Sequence, residues 1–253
     1  MRKGNTYALT KEVMAVLAEK PGVEFTEINI SDLNLPFCAS CHLCFSEGEE
    51  FCPHNDTALG IRSALAECDG VIIGSATYMW AINAALKNLL DHLAYGFHRP
   101  FLFGKKGMVI ATSKGAGEKG VTKYIKTVLG QLGINGAVVF TLNEKEKQLQ
   151  TNSGKKLNTA AERFYSSIVS NRQIKPTLKN IVVHNAFRAM ALSKFSDSER
   201  DTRFWGQPGF HNKAYPAKAG AFKYAVGAAV YGIAKRSTEI VGRIYEKRKK
   251  ARE

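Results

Sequence analysis

Residues 71–80 read VIIGSATYMW, and the reading of this stretch decides the fold. Its first half is a short β-branched run without a polar face, the pattern of a strand covered on both sides. Its second half turns at once to hydroxyls and aromatic rings. The same plan returns at residues 107–117, GMVIATSKGAG, where an apolar run opens into glycines and a lysine. Working outward, residues 81–93 between the two runs and residues 119–132 after the second have helical spacing, and residues 134–142 read as a final strand. Upstream, residues 6–19 carry Val13, Met14, Val16 and Leu17 at helical spacing, and Pro21 and Gly22 end that helix. Residues 23–30, VEFTEINI, alternate as a strand does, and residues 57–66 are again helical. Strand and helix alternating in this way predict an α/β fold, a doubly wound parallel sheet with helices on both faces, because right-handed crossovers put them there.

Ligands of such sheets sit beyond the carboxyl ends of the strands, so the informative loops are ATYMW and SKGAG. The first offers hydroxyls and two aromatic rings able to stack on a flat cofactor. The second offers glycines whose backbone amides can approach one closely.

The strongest local signal lies between the first helix and residue 71. Cys38, Cys41, Cys44 and Cys52 follow the spacing C-x2-C-x2-C-x7-C, with Pro53 next. In a chain that shows no secretory signal, clustered cysteines favour metal or redox chemistry over structural disulfides. Three thiolates at two-residue intervals in a tight loop can meet three irons of one cubane, and the fourth ligand must come from further away. The excursion FSEGEEF, with Gly48 allowing a turn, is long enough to bring Cys52 back. Zinc also accepts four thiolates, but from two separated pairs. His42 and His54 keep zinc open, and a loop that binds nothing is the third reading. Cys68, just before a buried strand, reads as a small core residue.

A chain of 253 residues, 45% of them hydrophobic, can bury one substantial core and a small appended unit. No basic start precedes a long apolar run, and no segment approaches the ~18 uninterrupted apolar residues of a membrane span, so a cytoplasmic location is expected. Charge divides the chain. Residues 1–150 hold 15 basic and 15 acidic side chains, and residues 151–253 hold 21 and 7, so the whole surplus sits in the C-terminal part. That part is expected to lie against something anionic.

With these residues in view, the first part of the chain, from Gly4 to about Leu142, resembles the flavodoxin-like NAD(P)H-dependent FMN reductases and iron-sulfur flavoproteins. Arg2, Lys3, Gly4, Asn5 and Thr6 stand where the family has a Ser-x-Arg-x-x-Gly-Asn-Thr-like phosphate loop entering a helix. Gly74, Ser75, Ala76, Thr77 and Tyr78 are similar to its Gly-Ser-Pro-x-Tyr flavin loop, with Ala76 in place of proline. Lys87 and Asp91 on the next helix also match, while His92 stands where arginine often follows. The spacing of the four cysteines is the compact one that iron-sulfur flavoproteins carry. One departure concerns the sheet: Met1 comes directly before the phosphate loop, so the first strand of the flavodoxin order has no counterpart. The expected sheet therefore has a gap at its centre, with unpaired backbone groups on both sides. A start codon placed too far downstream, or a shortened chain, would account for it.

The resemblance implies FMN as cofactor, a [4Fe-4S] cluster on Cys38, Cys41, Cys44 and Cys52, and NAD(P)H as electron donor. The FMN phosphate would lie at the amides of Asn5 and Thr6, favoured by the helix dipole, with Arg2 adding charge. Asn and Thr are also ordinary helix caps. Ser75, Ala76, Thr77, Tyr78, Met79 and Trp80 would border the isoalloxazine ring, and Thr112, Ser113, Lys114, Gly115 and Gly117 would form the second wall. Lys114 would stabilise the anionic reduced flavin, or simply be a solvated lysine. No protein acid or base is assigned, because the cofactor carries the chemistry.

Residues 1–145 are thus expected to form a flavodoxin-like FMN-binding domain with a cysteine-rich insert at 36–56, and residues 146–253 a basic helical extension. Within the extension, 157–170 and the stretch opened by Pro176 and Thr177 read as helices, followed by a polar aromatic loop with Phe204, Trp205, Gly206 and Phe210. From Ala221, the residues Phe222, Val226, Val230, Ile233, Ile240 and Ile244 trace one helical stripe, closed by Lys247, Arg248, Lys249 and Lys250. A basic amphipathic helix of this kind can lie on an anionic membrane surface, or pack on the domain or on a second subunit. The resemblance favours packing, and it implies a homo-oligomer with flavin at a subunit boundary. Nucleic acid is not expected as a partner, since no zinc-finger spacing, RNA-binding motif or helix-turn-helix is present.

The reading as a whole is an FMN-dependent oxidoreductase or electron-transfer flavoprotein, taking electrons from NAD(P)H or a ferredoxin and serving a redox partner or small-molecule acceptor. A quinone, nitro or azo reductase without a cluster is the first alternative. A non-enzymatic flavodoxin-like module with a binding tail is the second.

Overall fold

The computed structural model of the chain describes residues 4–144, 153–170, 173–210 and 215–251. Three parallel strands form the sheet in the order β1 (Gly70–Ala76), β2 (Lys106–Ser113), β3 (Ala137–Asn143). Their register pairs Val71 with Gly107 and Val109 with Val139. Alternate residues of β2 serve opposite faces, as a pleated strand requires. Met108 and Ile110 meet Leu9, Val13 and Leu17 of α1 (Asn5–Ala18) and Leu157, Ala161 and Phe164 of a helix at Ser153–Val169. Val109 and Ala111 meet Leu86 of α4 (Ala84–His92) and Val121, Ile125 and Leu129 of α5 (Glu118–Leu132). Between α1 and β1 come a single turn, α2 (Leu43–Ser46), and α3 (Asn55–Glu67). The helix at Ser153–Val169 is α6. It comes so close to β1 that a Cβ on Gly70 would sit 2.6 Å from Phe164 and 2.7 Å from Ile168.

Residues 23–30 are a correction to the sequence reading. They alternate like a strand, yet 23–29 carry no strand pairing and Ile30 begins a short 3-10 turn. The reason is the absence of an adjacent edge. A cleft of about 2080 Å³ separates them from β1, lined on one side by Val23, Phe25 and Ile28 and on the other by Val71, Ile72 and Ile73. Alternation predicts a strand only where a partner offers hydrogen bonds. Among the described residues, β1 pairs with β2 alone, so its other edge is open to this cleft.

The C-terminal part supplies α7 (Leu178–Ala191), α8 (Glu199–Trp205) and α9 (Ala221–Lys250). Thr177 caps α7 by accepting the Asn180 N–H at 3.1 Å, and Asn180 in turn donates to Asn135 at 3.1 Å, joining α7 to the end of α5. Here the expected polar aromatic loop is corrected. Ser198 accepts the Asp201 N–H at 3.1 Å and starts a short helix that ends in Trp205, which is wholly buried. Trp205 packs edge-on against His184 of α7, with ring centroids 4.7 Å apart. Tyr215 and Phe103 complete this cluster. Helix α9 lies on α7, where the Arg188 guanidinium stacks 4.3 Å over the Tyr231 ring. The approach is close again at Gly242, where a Cβ would overlap the Phe195 ring.

Candidate flavin and cysteine site

The carboxyl end of the sheet gathers three loops. After β1 the chain makes a tight reversal in which Tyr78 and Ala81 exchange backbone hydrogen bonds of 3.0 and 2.8 Å. The two central residues, Met79 (φ 46°) and Trp80 (φ 64°), are left-handed, a turn normally filled by Gly or Asn. Bulky residues held at positive φ cost on the order of 1–2 kcal/mol each, and such strain collects at functional sites. Met79 is 95% exposed and Trp80 74% exposed, so neither side chain repays that cost by burial. Their N–H groups have no hydrogen-bond partner among the described residues.

The second wall reaches this turn at Gly117. With φ at +102°, Gly117 lies where a Cβ would meet Thr77 Cγ2 at 2.8 Å and Trp80 at 3.4 Å. The Thr77 N–H donates to the Thr112 carbonyl at 2.8 Å, which fixes the two loops to each other. The Thr77 hydroxyl is buried at this junction without a hydrogen-bond partner. Ser113 donates to buried Glu118 at 2.7 Å, while Lys114 and Gly115 stand exposed at the rim.

The third loop is the start of α1. Gly4 is the N-cap and offers no side chain to cap the first turn of α1, so the Asn5 and Thr6 amides there suit an anion. Thr6 is held at its hydroxyl by Thr112 (Oγ1 to Oγ1, 2.6 Å), and the Asn5 amide reaches Glu144 at 3.5 Å. Gly4, Asn5, Thr6, Thr77, Tyr78, Thr112, Ser113 and Lys114 all border the one cleft. Ala76 lines it too, whereas Ser75, Met79, Trp80, Gly115 and Gly117 are not among its lining residues, and Arg2 lies outside the described residues. Ser75 is buried with its hydroxyl turned inward, accepting from the Asn83 amide at 3.2 Å, where Asn83 caps α4.

The cysteine loop is pinned to that same helix. Asn88 of α4 accepts the Cys38 N–H at 3.0 Å and donates to the carbonyls of Leu35 and Pro36. One turn on, His92 holds the Pro36 carbonyl through Nε2 at 2.9 Å and lies 3.9 Å from Cys52 Sγ through Nδ1. Left-handed Ser40 and His42 curl the chain between the first three cysteines. Cys44 is the centre of the group. Burial first, and then the neighbouring Cys52, Cys38 and Cys41, push its thiol up to about 11. Among the described residues no three His, Cys, Asp or Glu side chains converge as a single-ion site. Cys68 stands apart, its thiol donating to the Leu65 carbonyl at 3.3 Å.

Sequence reasoning missed Arg99. It is 95% buried, reaches the Cys44 carbonyl and Asp201 of α8, and donates to Glu49 at 3.1 Å. Ser198 adds a 2.6 Å hydrogen bond to the Phe45 carbonyl. A short helix of the extension thus clamps the cysteine loop from outside. No periodicity marks Arg99, whose neighbours His98 and Pro100 read as an ordinary turn. Only Asn83, an N-cap type residue before an apolar helix, carried a local signal.

An open α/β sheet with an uncapped helix N-terminus and an exposed aromatic turn at its carboxyl end defines a flavodoxin-like nucleotide-binding protein. The comparisons narrow this. The chain belongs to the NADPH-dependent FMN reductase family, whose model matches residues 1–143, and it is a flavin oxidoreductase with FMN as cofactor. An iron-sulfur flavoprotein of Archaeoglobus fulgidus is 26% identical over 202 residues, covering 76% of this chain and 87% of its own. One from Methanocaldococcus jannaschii is 36% identical over 128 residues, covering 49% of this chain and 63% of its own. In structure, an apo NADH:FMN oxidoreductase superposes with a TM-score of 0.52 at 22% identity, covering 69% of this chain and 89% of that one, which supports the fold.

Proposed function

We propose that the chain is an electron-transfer flavoprotein in which FMN, reduced by NAD(P)H or a ferredoxin, is coupled to a [4Fe-4S] cluster on Cys38, Cys41, Cys44 and Cys52. The observation that carries the reading is the sharing of α4. Asn83 at its N-cap holds the base of the flavin turn, Asn88 holds Cys38, and His92 lies beside Cys52. Along a helix rising 1.5 Å per residue, these contacts are spaced by about 7.5 and about 6 Å. One helix therefore ties the flavin turn to the cysteine loop, which supports coupling between the two.

The residues fit FMN on three counts. The first-turn amides of α1 suit a phosphate, the unpartnered Thr77 hydroxyl and the free N–H groups of Met79 and Trp80 suit the polar edge of a ring, and Tyr78 and Trp80 offer its apolar cover. When bound, FMN supplies two-electron acceptance from a nicotinamide and one-electron transfer onward. The protein's part is to bind and orient it, with Lys114 at the rim as a cation for the reduced ring. The donor set fits iron and sulfide as well. Burial, with the neighbouring cysteines behind it, keeps the free Cys44 thiol protonated, and a cluster's cationic irons are what would draw four neighbouring thiols into thiolates. The name shared by the archaeal relatives supports the same assignment.

A second reading, a quinone or azo reductase with bare thiols, draws on the same raised Cys44 and on a 35% identical stretch, 104 residues long, of an FMN-dependent NADH:quinone oxidoreductase from Shewanella amazonensis. Iron, acid-labile sulfide and FMN measured on one anaerobic sample separate the two. About four irons and four sulfides per FMN, with broad absorption near 400 nm, are expected. FMN at full occupancy with neither iron nor sulfide after anaerobic reconstitution would leave the second reading standing.

A further inference from the structure

We propose that the outward face of α9 docks on an anionic phospholipid surface. Helix α9 uses one side to pack on α7, through Tyr231 under Arg188 and Gly242 against Phe195. The opposite side carries apolar residues that nothing in the described chain covers: Phe222 is 74% exposed, Ile233 67%, Ile240 56% and Ile244 46%. At 3.6 residues per turn these four fall within about 40° of one another, and they span about 33 Å. Scattered exposed apolar side chains are normal, but a continuous stripe along one helix marks an interaction face.

Charge decides what the face meets. Arg236, Arg243 and Lys247 lie on one flank and Arg248 on the other, all within roughly 80° of the stripe, whereas Glu239 and Glu246 lie roughly 120–140° away from it and Lys223 is held by the Pro176 carbonyl at 2.6 Å. Four consecutive cations, Lys247–Arg248–Lys249–Lys250, end the helix. Long basic side chains bordering an apolar stripe reach up to lipid phosphates while the stripe enters the acyl boundary. A second copy of the chain fits less well, because two such faces would bring two sets of cations together. The helix lies in the surface plane, since no helix among the described residues is long and apolar enough to cross a membrane.

The test is co-sedimentation of the full chain with vesicles of phosphatidylserine and phosphatidylcholine, against phosphatidylcholine alone. Binding to the mixed vesicles is expected to exceed that to the neutral ones by about ten-fold or more, and to fall about ten-fold between about 50 and 500 mM NaCl. The exposed pair Ile240→Asp/Ile244→Asp, with its flavin content and far-UV spectrum retained, is expected to lose about ten-fold in partitioning. Replacing Lys247, Arg248, Lys249 and Lys250 by Gln should abolish the preference for anionic lipid. Absence of sedimentation with mixed vesicles, or equal binding by the Asp variant, overturns the proposal. So does a wild-type dimer that the Asp variant converts to monomer, which assigns the face to a second copy.

Discussion

Arg99 ties the extension to the cysteine loop, and removing it measures how far the two depend on each other. The guanidinium is 5% exposed and stands between Asp201, at 8%, and Glu49, at 12%. In Arg99→Met both carboxylates stay buried while their principal cation is gone, and breaking a buried pair in this way costs about 3–5 kcal/mol. Residual partners place the expectation at the lower end. Asp201 keeps His98 at 2.7 Å, and Glu49 keeps Arg200 and Arg62 at 3.9 and 4.0 Å. A loss of roughly 3 kcal/mol lowers Tm by about 6–12 °C in a chain of this size. Asp201→Leu alone should cost less, since the guanidinium keeps Glu49 at 3.1 Å and the Cys44 carbonyl. The double variant Arg99→Met/Asp201→Leu should recover about 1–2 kcal/mol of the summed losses, because neither charge is then left alone. Thermal and urea unfolding of the four proteins give the cycle. A coupling energy below about 0.5 kcal/mol would refute the claim that α8 and the cysteine loop are joined through this ion pair.

Two further outcomes follow from single residues. Gly117→Ala puts a Cβ at 2.8 Å from Thr77 on a backbone at φ +102°, so it should destabilise the chain by about 2 kcal/mol and weaken FMN binding about ten-fold; fluorescence titration giving an affinity within two-fold of wild type would count against the close approach of the two walls. His184 is held neutral, its pKa lowered to about 3 by burial and then by Arg188. The unfolded chain takes up this proton below about pH 6.5 and the folded chain does not, so the stability His184 allows at neutral pH is lost as pH falls. Between pH 6 and pH 4 the loss is roughly 2.5 kcal/mol, and His184→Phe should remove it from the urea-unfolding difference between those two pH values.

The sheet was legible because β1 and β2 are apolar on both faces, and only strands sandwiched between helix layers afford that composition. Helix α5 was legible from its spacing and α7 from Thr177 ahead of it. Residues 23–30 misled because alternation reports which side chains prefer burial and says nothing of the neighbouring backbone. Helix α8 misled in the opposite sense. Its seven residues are too few for a period, and its one local mark was Ser198 three positions before Asp201, an N-cap signal outweighed by the aromatic residues that follow. The site divided along the same line. The turns after β1 and β2 depend on local backbone geometry, which residues such as Gly117 mark in the sequence. Ser75, by contrast, turned out to support α4, because its direction depends on Asn83, which approaches only once the strand has turned into the helix.

The open edge of β1 and the cofactor site are one physical problem. The cleft that begins at Asn5, Thr6 and Thr77 continues past Gly74, Ile73 and Val71 to the residues that failed to pair. Unpaired strand edges are hydrated and open more readily than paired ones. Helix α1 packs on the face of β1 beside that edge, where a Cβ on Gly74 would approach Thr10 Oγ1 at 2.9 Å and Thr6 at 3.2 Å. The same α1 presents the amides that suit the phosphate. Anything that orders the edge must therefore also fix the N-terminus of α1, and a phosphate bound there must restrain the edge in return, since a coupling between two sites acts equally in both directions.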